Sequence, residues 1–193
     1  LELNTALARK LLGPPRLHRR PQPHFQETTM LALFRLAAAV ALTWMLAAPA
    51  ALAQVPQYGA NVNQEQARKA IVGALAEARK INVPMAVTVV DTAGQLVAFE
   101  RMDNTQTGSI AVSQDKATSA AMFRRPTKAF QDAVAGGGAG LRILTLRGAS
   151  AVEGGLPLTA ADGKIIGAIG VSGGSAEQDG VVAKAGADAT AAK

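Results

Sequence analysis

Cysteine is absent from all 193 residues, and the only two histidines, His18 and His24, lie close to the start of the chain. Without cysteine no disulfide can form, even in a compartment oxidising enough to permit one. Downstream of residue 53 the usual Cys/His zinc ligands are missing altogether. A Ser-His-Asp triad and a cysteine nucleophile are excluded there for the same reason. Aromatics are nearly as scarce: after Ala53 they are Tyr58, Phe99, Phe123 and Phe130, and the adjacent basic pairs are Arg68-Lys69, Arg79-Lys80 and Arg124-Arg125. Nucleic-acid surfaces need clustered basic side chains, often with stacking rings, so no nucleic-acid partner is expected. No pair of carboxylates has a spacing that singles it out for acid–base work, and no catalytic residue or metal ligand is assigned.

What is present begins with one apolar run. Met30 to Arg35 is short and carries a single positive charge, Leu36 to Ala48 is uncharged and apolar, and Pro49 then breaks the run. Ala51-Leu52-Ala53 supplies the small residues that a signal peptidase accepts. A membrane span needs about 20 apolar residues, and this run ends before that. Residues 30–53 are therefore expected to be a cleavable secretory signal peptide. That reading places the protein in the periplasm or outside the cell, with membrane contact only through the uncleaved signal. Residues 1–29 have no period suited to a core and are expected not to be native mature sequence, with Met30 the start. The charge divides accordingly. The whole chain carries +6, while residues 54–193 hold 14 basic and 12 acidic side chains, a net of +2. About 140 residues remain, enough for one ordinary domain.

Residues 54–62 read as a short polar linker. Asn63 then opens a helix, with Gln66 as capping-box partner and Ala67, Ala70, Ile71, Ala74, Leu75, Ala78 and Ile81 forming one apolar face. Met85–Val90 is a β-branched strand, Asp91–Gly94 a turn, and Gln95–Met102 the returning strand of a hairpin. Asp103–Gly108 is polar loop, Ser109–Met122 a helix, and Thr127 caps a short helix to Val134. The glycines from Gly136 to Gly140 lack the lysine and following helix of a phosphate loop and read as a connector. Leu141–Leu146 is ambiguous between strand and helical turn. Ser150–Leu158, with Gly154, Gly155 and Pro157, suggests an irregular or edge strand. Ala161–Gly163 is a hairpin turn, and Lys164–Ser172 a buried strand whose Gly167 and Gly170 predict close approach of another backbone. Ser175 caps a last helix, with Glu177 and Asp179 in the first turn, where the helix dipole favours acids. Two hairpins among helices indicate an antiparallel sheet covered by helices, an α+β fold.

Several of these runs form a recognisable set: VVDTAGQLV from Val89 to Val97, Arg101-Met102-Asp103, Lys116-Ala117, GLPL from Gly155 to Leu158, and GKIIGAIGVSG from Gly163 to Gly173. Gln178-Asp179 and the Ala183, Ala185-Gly186 positions fit the same pattern. From about residue 63 to 190 the chain resembles the GlcG/HbpS-like family, which is related to the C-terminal domain of PduO-type proteins. The resemblance implies a three-layer α/β/α domain of the profilin-like type, GlcG-like, around a five-stranded antiparallel sheet over residues 63–193. It also implies homo-oligomers and a small-molecule ligand. Some members bind haem, while others sit beside glycolate or diol metabolism without a settled reaction.

Haem iron is held by His, Cys, Met or Tyr, so residues 54–193 offer Met85, Met102, Met122 and Tyr58. Met85 and Met122 read more readily as core filler, while Met102 sits at a strand end. Tyr58 lies in the linker, where it is expected to be mobile. In the family, ligand contacts involve the helix of Lys116, and Ser119 lies one turn away on the same face. Arg124 and Arg125 suit haem propionates or another carboxylate. Arg101 and Asp103 suit a small acid, or a structural ion pair with each other. Lys116 has an ordinary alternative as well, pairing with a neighbour of Asp115 or with Asp103. The leading reading is an exported protein that binds haem or a related tetrapyrrole, for sensing or sequestration. The alternatives are an enzyme or accessory acting on a small hydroxy acid or aldehyde, and a structural oligomer without ligand.

Overall fold

Asn63 opens the first helix as its sequence predicts. Its side chain accepts from the Gln66 amide at 2.9 Å, while the Gln66 side chain accepts from the Asn63 amide at 3.0 Å. Helix α1, Gln64–Lys80, buries Ala67, Ala70, Ile71, Ala74, Leu75 and Ala78. It ends on Asn82 at φ 55°, and the Val83 amide reaches back to the Ala78 carbonyl at 3.1 Å. That is a Schellman closure, with asparagine in the left-handed position more often taken by glycine. The computed structural model describes residues 55–191. The segment 1–29 and the expected signal peptide, 30–53, lie outside the described residues.

Strands β1 (Ala86–Val90) and β2 (Leu96–Arg101) form the first hairpin. In its turn the Asp91 carboxylate accepts from the amides of Ala93 and Gln95, and Gly94 takes φ 79°. Helices α2 (Ser109–Phe123) and α3 (Thr127–Ala135) follow, and then a 3-10 helix over Gly138–Thr145. Of the ambiguous Leu141–Leu146 stretch, residues 141–145 are thus helical in type, and Leu146 is extended. Strand β3, Gly155–Thr159, is shorter than the expected strand and lies at a sheet edge, where Pro157 is tolerated. Strand β4, Ile165–Ser172, and helix α4, Ala176–Ala191, complete the order.

The sheet runs β2-β1-β4-β3 and is antiparallel throughout. The expectation of five strands is corrected to four among the described residues. Residues 57–62 lie beside β4 beyond the end of β1, but only Tyr58 makes a bridge, parallel to Ile165. The alternation of side chains sorts the central strands between two packing faces. Val87, Val89, Ile169 and Val171 meet α1 and α4 in the main apolar cluster. On the opposite face Val90 and Ala168 meet Ala117, Ala120 and Ala121 of α2, and Thr88 shares a 2.8 Å hydrogen bond with Ser113. Both central strands are buried along their whole length.

The Gly167 and Gly170 expectation holds. A Cβ on Gly170 would run into the Ser113 carbonyl and the Ala117 amide of α2, and one on Gly167 into the Val90 carbonyl. Helices α1 and α4 close on each other in the same way. A Cβ at Gly186 would lie 2.7 Å from the Ala70 carbonyl, and one at Gly73 would lie 3.0 Å from that of Ala185.

The stretch expected to serve as a linker is docked on the domain, and Tyr58 is held. Its hydroxyl donates to the carbonyls of Ala121 at 2.9 Å and Met122 at 3.1 Å, at the C-terminal end of α2. The backbone adds Ile165 N–H to Gln57, Gly59 N–H to Ile165 and Val62 N–H to Ile166. The carbonyls of Ala121 and Met122 lie in the last helical turn, where the i+4 amide is missing; Ala121 accepts only a 3.3 Å bond from the Arg124 amide, so a phenol from a distant segment finds a place there. Tyr58→Phe is expected to cost about 1 kcal/mol in chemical unfolding and to hasten proteolysis between residues 55 and 62. Unchanged stability and cleavage would show that the hydroxyl does not hold the segment.

A buried ion pair and an arginine corner as candidate sites

Lys116 points inward from the middle of α2, and its side chain is 1% exposed. Its ammonium donates to the Asp179 carboxylate at 2.6 Å and to the Val171 carbonyl at 3.0 Å. Asp179 is also buried, and its other oxygen accepts from the Gly174 amide at 2.9 Å. Burial pushes the Asp179 carboxyl above its ordinary value, while the hydrogen bonds from Lys116 and the Gly174 amide oppose that rise. Glycine makes room for the pair: at Gly154, φ 123°, a Cβ would lie 2.9 Å from the lysine nitrogen and 2.8 Å from the Asp179 Cβ. The next residue, Gly155, donates its amide to Thr127 at 2.9 Å and lies against the Lys116 backbone.

Lys116 is among the candidates legible in the sequence; its partner, expected at a neighbour of Asp115 or at Asp103, is instead Asp179. Asp179 reads as a first-turn acid serving the helix dipole, and it does accept an amide just before α4. Its second role arises because β4 and the Gly173-Gly174 turn carry the start of α4 to the face of Lys116. The available signal was the Gln178-Asp179 motif following two glycines, which marks a backbone that must be approached closely.

The remaining candidates separate. Ser119 is buried, and its hydroxyl accepts from the Ser150 amide at 3.0 Å. Beside it a shallow polar cleft is lined by Asp115, Thr118 and Ser150. Arg101 and Asp103 are both exposed and make no ion pair with each other among the described residues. Met102 packs against the main apolar cluster, and its carbonyl accepts from the Thr105 hydroxyl. Met85 is fully buried. Met122, expected as filler, is instead 49% exposed.

Arg124 and Arg125 gather at one corner. Arg124 closes α2 in the left-handed region at φ 53°. Its guanidinium lies 5.0 Å from the centre of the Tyr58 ring and donates to the Pro56 carbonyl at 3.3 Å. Arg125 lies 5.5 Å from the Phe130 ring and donates to the Phe123 carbonyl at 3.2 Å. Phe123 and Phe130 meet edge to face at 5.2 Å. Neither arginine has an acidic partner among the described residues. Cation–π contact and a carbonyl bond thus position each guanidinium, leaving donors for an incoming anion.

A family model described as haem degrading protein HbpS-like matches residues 62–188. The chain belongs to the HbpS-like family. Its relatives include protein GlcG of Escherichia coli K12, 38% identical over 111 residues that cover 58% of this chain and 81% of GlcG. Among solved structures, Klebsiella pneumoniae protein ORFY is 31% identical, with a TM-score of 0.63, covering 69% of this chain and 93% of that one. The PduOC:heme complex is 29% identical, with a TM-score of 0.61, covering 67% of this chain and 94% of the other. The matched span includes both Lys116 and Asp179, so two of the motifs that carry the family resemblance meet as one ion pair.

The donor set can be tested against haem directly. Iron finds little here: no cysteine exists, both histidines precede residue 55, Met85 is enclosed, and the Tyr58 hydroxyl is engaged at two carbonyls. Met122 is the one exposed thioether among the described residues. The porphyrin's carboxylates fit better, at Arg124 and Arg125. No helix among the described residues is long and apolar enough to cross a membrane.

Proposed function

We propose that this protein is an exported haem- or tetrapyrrole-binding member of the HbpS-like family, acting to sense or sequester its ligand, and working as a homo-oligomer in the periplasm or outside the cell. The observation that carries the ligand is the family match over residues 62–188, joined by structural similarity to a chain solved with haem. The arginine corner supports it chemically, because charge-assisted bonds to propionates are the strong contacts this surface can offer. When bound, haem supplies the redox and ligand chemistry of its iron; the chain's part is to hold and orient it. Export is supported by the 30–53 pattern.

Hemin titration of the full-length protein tests the reading. A saturable Soret shift at micromolar hemin is expected, distinct from that of free hemin in the same buffer. Absence of any shift under conditions where hemin stays monomeric would remove the haem reading.

A further inference from the structure

The donors of this surface suit carboxylates far better than they suit iron. We propose that this chain recognises tetrapyrroles by their paired carboxylates, through Arg124 and Arg125, and does so independently of the central metal. This rests on the tetrapyrrole reading above and narrows it.

Three observations carry it. First, strong axial donors to haem iron are His and Cys, and residues 55–191 contain neither. Of the weaker donors, Met85 and Met102 are packed into or against the core and Tyr58 is committed to two carbonyls. Second, two guanidinium groups on adjacent residues are each held over an aromatic ring, and both lack an acidic partner among the described residues. Such groups lose little side-chain freedom when they bind, and the fork of arginine matches a carboxylate edge. A tetrapyrrole with two propionates offers two such edges on one rim. Third, Arg124 holds φ 53°, a conformation that disfavours any residue with a Cβ. The strained residue is the one whose side chain lies on Tyr58. The partly exposed Tyr58 ring under Arg124, and the exposed Met122 two residues before it with its side chain near Gly94, offer apolar surface for the macrocycle.

The test uses the full chain carrying His18→Ala and His24→Ala, so that iron ligation from outside the described residues cannot contribute. Hemin, zinc protoporphyrin, metal-free protoporphyrin IX and its dimethyl ester are titrated in parallel by absorbance and fluorescence. The three free acids are expected to bind within about threefold of one another, and the ester about tenfold more weakly, since each lost carboxylate removes charge-assisted bonds. Arg124→Lys/Arg125→Ala should weaken the free acids by about tenfold and leave the ester nearly unchanged. Met122→Ala should weaken hemin and the metal-free ring alike. The ester comparison needs no substitution at Arg124 and so does not depend on that variant's folding.

Hemin binding more than about tenfold tighter than metal-free protoporphyrin would overturn metal independence while leaving haem binding intact. Equal binding of acids and ester would overturn the arginine assignment. If none of the four binds, the tetrapyrrole reading itself fails.

Discussion

Gly170→Ala is expected to abolish soluble folded protein, or to lower Tm by about 10 °C or more, a change of roughly 3 kcal/mol in a domain of this size. Inserting a methylene into a packed interior ordinarily costs about 1–3 kcal/mol, because neighbouring side chains give way. Here the obstacle is backbone. A Cβ on Gly170 would meet the Ser113 carbonyl and, at 2.5 Å, the Ala117 amide, with the Ala117 Cβ at 2.9 Å. Neither group can turn aside without moving α2 off the sheet. Moving α2 would also break the 2.8 Å Thr88–Ser113 bond and disturb Lys116. Gly108→Ala supplies the control: a Cβ there meets nothing within 4 Å, and φ is −61°. It should be neutral or slightly stabilising, since it mainly removes freedom from the unfolded chain. Equal Tm values for the two variants, by calorimetry, would show that α2 does not press on β4 as described.

The second large effect belongs to Lys116 and Asp179. Removing one member of a buried pair typically costs about 3–5 kcal/mol, because the other charge stays buried without its partner. Asp179→Asn and Lys116→Met are each expected in that range by chemical denaturation. The amide introduced by Asp179→Asn would keep an acceptor for the Gly174 N–H, so the loss in that variant reports the charge. The double variant should cost clearly less than the two single effects added, with a coupling of about 2 kcal/mol or more. Strict additivity would mean that the pair makes no energetic contact.

The direction of the Asp179 shift adds a pH signature. Its folded carboxyl titrates above the ordinary value of 3.8 because of burial, so between the two values the folded state binds the extra proton. This group's contribution is fully present below the unfolded value and is lost as pH rises through the folded one. Lys116→Met removes an interaction that opposed the rise, which widens the window upward. The cost of that substitution should therefore be largest near neutral pH and shrink on acidification toward 3.8. A cost that grows in acid would contradict burial as the dominant cause.

Most of the elements were legible because their causes are local. The Asn63 capping box, the alanine-lined face of α1, the Asp91–Gly94 turn and the two hairpins each depend on residues within a few positions of one another. Family resemblance added the three-layer arrangement, but it implied one strand more than the described residues form. Gln57–Val62 supplies only a bridge there, because its hydrogen bonds go to Ile165 and Ile166 at the end of β4. The 3-10 helix at Gly138–Thr145 was not legible either: its turn is set by Gly137 and Gly138 at positive φ, and an apolar run of that length suits either conformation.

By itself, the sequence determined the absences and the local grammar. No disulfide, no cysteine thiolate and no histidine ligand within residues 55–191 follow from composition alone. Tertiary structure decided what the polar residues do. Lys116 and Asp179 are 63 positions apart and meet only because β4 returns beneath α2; the glycines before Asp179 mark a close approach, but nothing local names Lys116 as the partner. The same holds for Tyr58, whose phenol reaches carbonyls 63 and 64 positions away. Folding thus turned the family's motif lysine inward and its expected mobile tyrosine into a tether. It left Arg124 half-buried and Arg125 exposed, neither in a salt bridge among the described residues.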